Sequence, residues 1–120
     1  MKILFLITSL LLGVFASGQD INISEGVVFD GEPYLAINPN NSQHLVVAWM
    51  GWTGFAEEFK IKTKVSFNGG ATWSEESELP HALSSYTSAD PSLAFNSSGE
   101  VFVCYIDFTG TEPPVTGGVF

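Results

Sequence analysis

Residues 66–74 read SFNGGATWS, and this stretch says more about the fold than any other in the chain. Asn68-Gly69 is a strong signal for a two-residue hairpin turn, because both residues tolerate the positive φ angles of a type I′ turn. The Asn68 side chain can also accept hydrogen bonds from N–H groups of its own turn. We therefore expect residues 60–67 and the stretch ATWSEES (71–77) to form the two strands of a hairpin.

Short apolar runs separated by turn residues indicate further strands. KIKTKVSF (60–67) alternates lysines with apolar or small residues, the period of a half-buried strand whose lysines face solvent. PYLAIN (33–38) and HLVVAWM (44–50) flank a cluster of turn residues. No segment after residue 18 repeats apolar residues with the 3.6 period of a helix over three turns. The sequence therefore predicts an all-β protein.

Two parts of the chain repeat the same pattern. EPYLAIN (32–38) matches DPSLAFN (90–96), and HLVVAW (44–49) matches EVFVCY (100–105). Each copy has an acid, a proline, an apolar strand, an Asn-rich turn and a second apolar strand. Proline is tolerated at the start of a strand, where its missing N–H is not needed by the sheet. Repeats of about this length, with short strands, are typical of propeller blades.

The stretch SFNGGATW also resembles the Asp-box of the sialidase superfamily, the bacterial neuraminidase repeat, whose pattern is Ser-x-Asp-x-Gly-x-x-Trp. The residues that carry the resemblance are Ser66, Asn68, Gly69, Gly70, Thr72 and Trp73. Asn68 stands where the family usually has aspartate; it keeps an acceptor oxygen and loses the charge. In that family the box joins the third and fourth strands of a blade, on the rim away from the substrate. The resemblance therefore implies a structural role for these residues.

The resemblance implies a partial β-propeller after a signal peptide, with one complete four-stranded antiparallel blade and the start of a second. Residues 19–31 would lead into blade one, and residues 32–80 would form it, with the box-like hairpin at 66–73. Its strands would lie near 34–38, 44–50 and 60–67 and from about residue 72. Residues 81–120 would be an incomplete second blade, with TGGVF (116–120) beginning its third strand. We expect residues 19–120 to be the N-terminal part of a larger propeller.

The first 18 residues have the features of a signal peptide. Lys2 supplies the positive charge, Ile3 to Phe15 are mostly apolar, and Ala16-Ser17-Gly18 supplies the small residues before the cleavage site. The apolar run is short for a membrane span. We expect cleavage before Gln19, no membrane span afterwards, and a secreted or cell-envelope protein of bacterial type; an uncleaved N-terminal anchor is the alternative.

The charge of the chain excludes some partners. The formal net charge is −9, from 13 acids and 4 bases, and all four bases are lysines. A basic patch that could neutralise phosphates is therefore missing, and nucleic acid is not an expected partner.

Sialidases hold the substrate carboxylate with three arginines, and this chain has no arginine. No catalytic residue can be carried over from the family, and no nucleophile motif is present.

Four residues are candidates for ligand contacts. Glu32 and Asp90 occupy equivalent repeat positions and should face the mouth of the channel in neighbouring blades. Two carboxylates there could bind sugar hydroxyls or a cation, or act as an acid/base pair. Each residue could instead cap a turn or face solvent. Trp52 and Phe55 flank or lie in a Gly-containing loop and could stack on sugars. No metal site or cofactor is expected; a divalent cation such as calcium has no support beyond the carboxylates.

Three further residues are expected to have no part in binding or catalysis. Cys104 cannot form an internal disulfide, because it is the one cysteine, and we expect it to be a buried, inert thiol in an apolar strand. His44 should be exposed at the start of a strand. His81 follows Pro80 in a linker. Neither histidine has metal-ligand spacing.

Two main functions follow from the resemblance. The first is a non-catalytic extracellular scaffold that binds a glycan or a protein. The alternative is the N-terminal part of an exo-α-sialidase-like glycoside hydrolase whose catalytic residues lie beyond residue 120. A receptor propeller similar to sortilin is a third option.

Overall fold

The structure is a computed structural model that describes residues 20–26, 29–52, 58–110 and 114–120. Within these ranges the chain is all-β, without a helix, and its strands form two antiparallel sheets. The all-β prediction is therefore confirmed. The strands are β1 (Asp30–Asn38), β2 (Asn41–Trp52), β3 (Phe59–Ser66), β4 (Ser77–Glu78), β5 (Thr87–Phe95), β6 (Val101–Phe108) and β7 (Gly117–Val119). No helix in the described ranges has the length and apolar character that a membrane crossing requires.

Each sheet is a simple meander. The N-terminal sheet has the order β1-β2-β3-β4, and the C-terminal sheet has the order β5-β6-β7. The β1–β2 and β5–β6 connections are short and contain asparagine, which favours the pairing of these consecutive strands. Asn38 closes the β1–β2 turn by accepting the backbone N–H of Asn40 at 2.9 Å, and Asn96 accepts the N–H groups of Ser98 and Glu100 in the β5–β6 turn.

The two copies of the sequence repeat form equivalent hairpins. β1 pairs with β2 as β5 pairs with β6. Both first strands carry a bulge at the same repeat position, between Gly31 and Tyr34 in β1 and between Ala89 and Ser92 in β5. The prediction of a strand at TGGVF is also confirmed, because β7 pairs with β6.

The core lies between the two sheets, where β5 packs against β1, β2 and β3. Side chains alternate between the two faces of a strand, so each sheet has an inner face toward the other sheet and an outer face. Inner-face residues form one apolar cluster: Val46, Ala48, Ile61 and Leu93, with Ala36, Met50, Val65, Leu79, Phe95, Val103 and Tyr105 around it. Burial of this cluster is the main source of attraction between the sheets.

The prediction that the lysines of β3 face solvent is wrong for Lys62. Ile61 is fully buried, as expected, but Lys62 on the opposite face is buried as well. It lies beside Trp49 across the β2–β3 ladder, and its ammonium group pairs with Glu76 at 3.0 Å. The alkyl stem of Lys62 lies against Gly51, next to its cross-strand partner Trp49, so the outer face of the strand is not open to solvent at this position.

The turn after β3 also differs from the prediction. Gly69 and Gly70 have positive φ, at 69° and 91°, but Asn68 does not, so the turn is not type I′ at Asn68-Gly69. The following strand is not ATWSEES: β4 contains only Ser77 and Glu78. Side-chain hydrogen bonds within the loop take the place of a tight two-residue turn, as described below.

The prediction of a buried Cys104 was wrong. Cys104 is exposed, and it pairs in the ladder with Ser92. Alternation along β6 turns Val103 and Tyr105 inward toward the other sheet and Phe102 and Cys104 outward. An apolar strand was correctly inferred, but only one of its faces is covered.

Candidate functional site

The register places the candidate ligand residues and the box at opposite ends of the sheets. Leu45 of β2 is opposite Ser66, so the box loop follows β3 at the end that also carries the β1–β2 turn. Gly31 is opposite Met50, and Trp52 is opposite Phe59, at the other end. We call this other end, which carries Glu32 and Asp90, the acidic end.

Glu32 and Asp90 are brought together in the structure. The backbone N–H of Asp90 donates a hydrogen bond of 3.1 Å to Glu32 Oε2, although the residues are 58 positions apart. Both residues are exposed and both have positive φ, 53° and 52°. Each precedes a proline, which favours extended backbone in the residue before it. The bulges therefore hold both residues in an unfavoured conformation that aims their side chains out of the ladder.

A cleft opens between the sheets at the acidic end. Its volume is 490 Å³, and it is lined from the N-terminal sheet by Met50, Glu58 and Phe59, and from the C-terminal half by residues that include Tyr86, Thr87 and Phe108. Thr87 Oγ1 accepts the backbone N–H of Phe59 at 2.8 Å and so ties the starts of β3 and β5 together. The cleft thus combines three aromatic rings with hydroxyl groups and a carboxylate.

Trp52 lies at this end but is partly engaged by other rings. Its indole packs edge-on against Phe59, with ring centroids 4.9 Å apart. Phe59 in turn packs edge-on against Phe29 at 5.5 Å. Trp52 is half-buried, so part of its ring surface remains accessible. Phe55 lies outside the described residues.

The sequence analysis missed a buried polar cluster around His81. Asp107 is fully buried, and its carboxylate accepts three hydrogen bonds: from His81 Nδ1 at 2.8 Å, from the Ser88 hydroxyl at 2.9 Å and from the backbone N–H of Ala82 at 2.6 Å. Ser88 and Asp107 are direct cross-strand partners of β5 and β6. The cluster therefore fastens the linker before β5 to the C-terminal sheet. An apolar strand that contains a single aspartate, YIDF, was the only available signal.

This Ser-His-Asp cluster does not have the geometry of a catalytic triad. In a triad the serine and the aspartate contact different ring nitrogens. Here both Ser88 Oγ and Asp107 Oδ1 contact His81 Nδ1, at 2.9 and 2.8 Å. The other nitrogen, Nε2, is buried, lies 3.4 Å from Glu58 Oε2 and makes no hydrogen bond. Because the serine hydroxyl is itself buried and donates to Asp107, the cluster is suited to holding the fold rather than to attacking a substrate.

Tyr105 also helps to hold the linker before β5 against the C-terminal sheet. Its hydroxyl donates a hydrogen bond of 2.7 Å to the carbonyl oxygen of Pro80, on the linker that carries His81. Burial raises the pKa of the Tyr105 phenol above its usual value of 10.0, and the nearby Asp107 carboxylate raises this pKa further. The neutral phenol is thus the form that the fold prefers.

The box residues make a hydrogen-bonded loop. The Ser66 hydroxyl donates to Asn68 Oδ1 at 3.0 Å and accepts the N–H of Gly70 at 2.9 Å. Asn68 Oδ1 also accepts the N–H of Thr72 at 2.9 Å, and the Asn68 amide donates to Thr72 Oγ1 at 2.8 Å. Trp73 lies against Gly70 beside this network. Because the polar atoms of the loop are used to hold the loop itself, this geometry suits a structural role.

His44 is more enclosed than expected. It is half-buried, with its ring stacked on Phe67 at 4.6 Å and edge-on to Phe95 at 5.1 Å. The Asn38 amide donates to His44 Nδ1 at 3.0 Å. These contacts place His44 at the box end of the sheets, where it joins the β1–β2 turn to the box loop.

Within the described ranges, no group of three or more histidine, cysteine, aspartate or glutamate side chains is placed to hold a metal ion. The Glu32–Asp90 contact provides a carboxylate accepting a backbone N–H rather than two carboxylates converging on one point. What the acidic end offers chemically is a set of hydrogen-bond acceptors beside aromatic rings.

Comparison with known proteins gave no relative: no family model, curated sequence or solved structure matches this chain.

Proposed function

We propose that the chain is a secreted, non-catalytic scaffold of the sialidase-like propeller type, and that it binds a glycan at the acidic end. The support for the propeller is the four-stranded meander with a box-like loop after its third strand, followed by a second hairpin that repeats the first. The two hairpins lie side by side, with β1 against β5. This is the arrangement expected of the innermost strands of neighbouring blades.

The observation that carries the binding proposal is the cleft between the sheets at the acidic end. Ligand sites are concave, mostly apolar, and contain a few polar groups that orient the ligand. The cleft has this composition, with Phe59, Tyr86 and Phe108 beside Glu58 and Thr87. Sugars present apolar ring faces that can pack on aromatic rings and hydroxyl groups that can donate to carboxylates.

The charge of the site favours a neutral glycan over an anionic one. The Glu58 carboxylate lines the cleft, and Glu32 and Asp90 lie at the same end of the sheets. The chain has no arginine to bind a sugar carboxylate in the bidentate manner. The lysine nearest the cleft along β3, Lys60, is paired with Glu78 at 3.1 Å. An acidic sugar would therefore meet repulsion without a compensating cation.

The test is a titration of the ¹⁵N-labelled protein with neutral oligosaccharides, using lactose, maltotriose and chitotriose as probes. Saturable shifts in the amide resonances of Phe59, residues 86–90 and Phe108, with residues 66–74 unmoved, would support the proposal. The Glu32→Ala/Asp90→Ala variant and Tyr86→Ala should bind less tightly, whereas Tyr34→Ala, on an exposed part of β1, is the matched control.

Three results would contradict parts of the proposal. If the shifts are confined to the box end, the binding site does not lie at the acidic end. If no probe gives a saturable shift, the ligand is not a glycan of this kind, and a protein ligand is the remaining alternative. Release of 4-methylumbelliferone from its α-sialoside would overturn the non-catalytic assignment. Secretion is tested separately by mass spectrometry of the exported protein, whose first residue should be Gln19.

A further inference from the structure

The His81 ring lies between two carboxylates that come from different parts of the molecule. Its side chain is 5% exposed. On one side, Nδ1 is 2.8 Å from the Asp107 carboxylate of β6 and 2.9 Å from the Ser88 hydroxyl of β5. On the other side, Nε2 is 3.4 Å from Oε2 of Glu58, the residue directly before β3. The ring is therefore placed to connect the N-terminal sheet with the C-terminal sheet.

A neutral His81 ring cannot satisfy both of these carboxylates, because it carries one proton. With the proton on Nδ1, the ring donates to Asp107, and the lone pair of Nε2 faces an oxygen of Glu58. With the proton on Nε2, the lone pair of Nδ1 faces the Asp107 carboxylate at 2.8 Å. In the structure Nε2 is buried and makes no hydrogen bond, which is a costly state for a polar atom.

A doubly protonated His81 ring satisfies both nitrogens, because each of them then donates. Nδ1 binds Asp107 as before, and Nε2 reaches hydrogen-bond distance if the 3.4 Å gap to Glu58 closes by about 0.5 Å. The positive charge is compensated, since both neighbours are carboxylates. Histidine is the side chain whose ordinary charge change falls between about pH 5 and 8. The number of bonds between the sheets can therefore change with pH in this range.

The other polar groups around His81 are already engaged. The Ser88 hydroxyl donates to Asp107 at 2.9 Å. The Tyr105 hydroxyl donates to the carbonyl oxygen of Pro80, the residue before His81, and burial together with Asp107 raises the pKa of this phenol above 10.0. Neither group supplies a proton to Nε2. The contact that responds to the charge of the ring is thus the one with Glu58.

We propose that His81 acts as a pH-dependent clasp that holds Glu58 when the ring is protonated and releases it when the ring is neutral. The next residue, Phe59, donates its backbone N–H to Thr87 Oγ1 at 2.8 Å and so ties β3 to β5. Glu58, Phe59 and Thr87 all line the cleft at the acidic end. This wall of the cleft is therefore held more firmly at mildly acidic pH. The inference rests on the geometry of His81 and is independent of what the cleft binds.

Hydrogen exchange at the Phe59 N–H of the full chain tests the clasp. After correction for the intrinsic exchange rate, protection of this N–H should be about tenfold higher at about pH 5.5 than at about pH 8, because the added bond has a charged donor and a charged acceptor. A long-range ¹H–¹⁵N spectrum of the imidazole groups should show two protonated ring nitrogens in His81 at the lower pH and one at the higher pH.

Three variants separate the clasp from other effects of pH. Glu58→Ala removes the acceptor for Nε2 and should abolish the pH dependence of Phe59 protection. His81→Asn keeps a donor for Asp107 but cannot become charged, so it should abolish this dependence as well. The matched control is His44→Asn, at the other of the two histidines, which should keep the dependence. Glu58 is 29% exposed, so Glu58→Ala remains decisive even if His81→Asn does not fold.

Three outcomes would overturn the proposal. The first is equal protection of the Phe59 N–H at both pH values in the unmodified chain. The second is a pH dependence that persists in Glu58→Ala or disappears in His44→Asn, which would assign the effect to groups other than the His81–Glu58 contact. The third is an imidazole spectrum in which His81 keeps the same number of ring protons at both pH values.

Discussion

Asp90 donates its backbone N–H to the carboxylate of Glu32 at 3.1 Å, and the two residues have nearly the same φ, 52° and 53°. They lie 58 positions apart, at the same step of two successive hairpins. One copy of the repeat therefore contacts the other through the residue that both copies hold in a left-handed conformation. This contact joins the sheets at the end where the cleft opens.

The left-handed conformation at Asp90 should cost stability that glycine would restore. Glycine adopts φ near 52° without the steric penalty of a Cβ atom and keeps the N–H that binds Glu32. Asp90→Gly should raise the free energy of unfolding by about 1 kcal/mol, and Asp90→Ala should lower it. Urea denaturation with an unchanged m-value checks this. Equal stabilities of the two variants would show that φ at this position is not strained.

The box loop should tolerate Asp but not Ala at position 68. Asn68→Ala removes the acceptor for the Thr72 N–H and the Ser66 hydroxyl and should cost about 1 kcal/mol. Asn68→Asp keeps that acceptor, and the Thr72 hydroxyl can turn to donate to it, so the cost should stay within about 0.5 kcal/mol. Thermal unfolding of both variants tests the pair. A larger loss for Asp than for Ala would mean that the amide donor, rather than the oxygen, holds the loop.

The buried cluster should be sensitive to Asp107. Asp107→Ala leaves the Ser88 hydroxyl, the Ala82 N–H and the His81 ring without their acceptor, and should cost about 3 kcal/mol. Ser88→Ala removes one donor and leaves Asp107 two others, so it should cost about 1 kcal/mol. Urea denaturation gives both values. The cluster would have no structural role if Asp107→Ala were the milder change.

Leu93 and Leu35 provide a matched pair at one repeat position. Leu93→Ala opens a cavity in the core and should cost about 3 kcal/mol. Leu35→Ala changes an exposed side chain and should cost less than about 0.5 kcal/mol in the free energy of unfolding, measured by urea denaturation. Similar losses for both would show that the Leu35 side chain is packed in the folded protein rather than exposed.

Alkaline pH should weaken the fold through Tyr105. Because its pKa is raised in the folded chain above the usual 10.0, the folded state holds the phenolic proton more tightly than the unfolded state. The stabilisation is complete below pH 10.0 and is lost as pH rises through the folded pKa. Tyr105→Phe should flatten the fall in unfolding free energy above this pH, while Tyr34→Phe, the exposed control, should not. Identical slopes for both variants would contradict the assignment.

The strands were predictable because their signals are local. Alternating or apolar runs between turn residues located β1, β2, β3, β5 and β6, and the matched phrases at 32–38 and 90–96 indicated two equivalent hairpins. The box loop was located correctly, but its turn type was not. The Ser66 and Asn68 side chains each satisfy backbone N–H groups further along the loop, and a rule for the Asn-Gly dipeptide does not include them.

The amino-acid sequence by itself determined the all-β class, the two equivalent hairpins of the repeat and the inner face of β3, since the signals for each lie within short stretches of the chain. Tertiary structure decided which faces are covered, and therefore why Lys62 is buried and Cys104 is exposed. The tertiary structure also brings His81 into hydrogen-bond contact with Asp107. These outcomes depend on contacts between distant segments, and burial is a property of the neighbouring sheet rather than of the strand's own pattern.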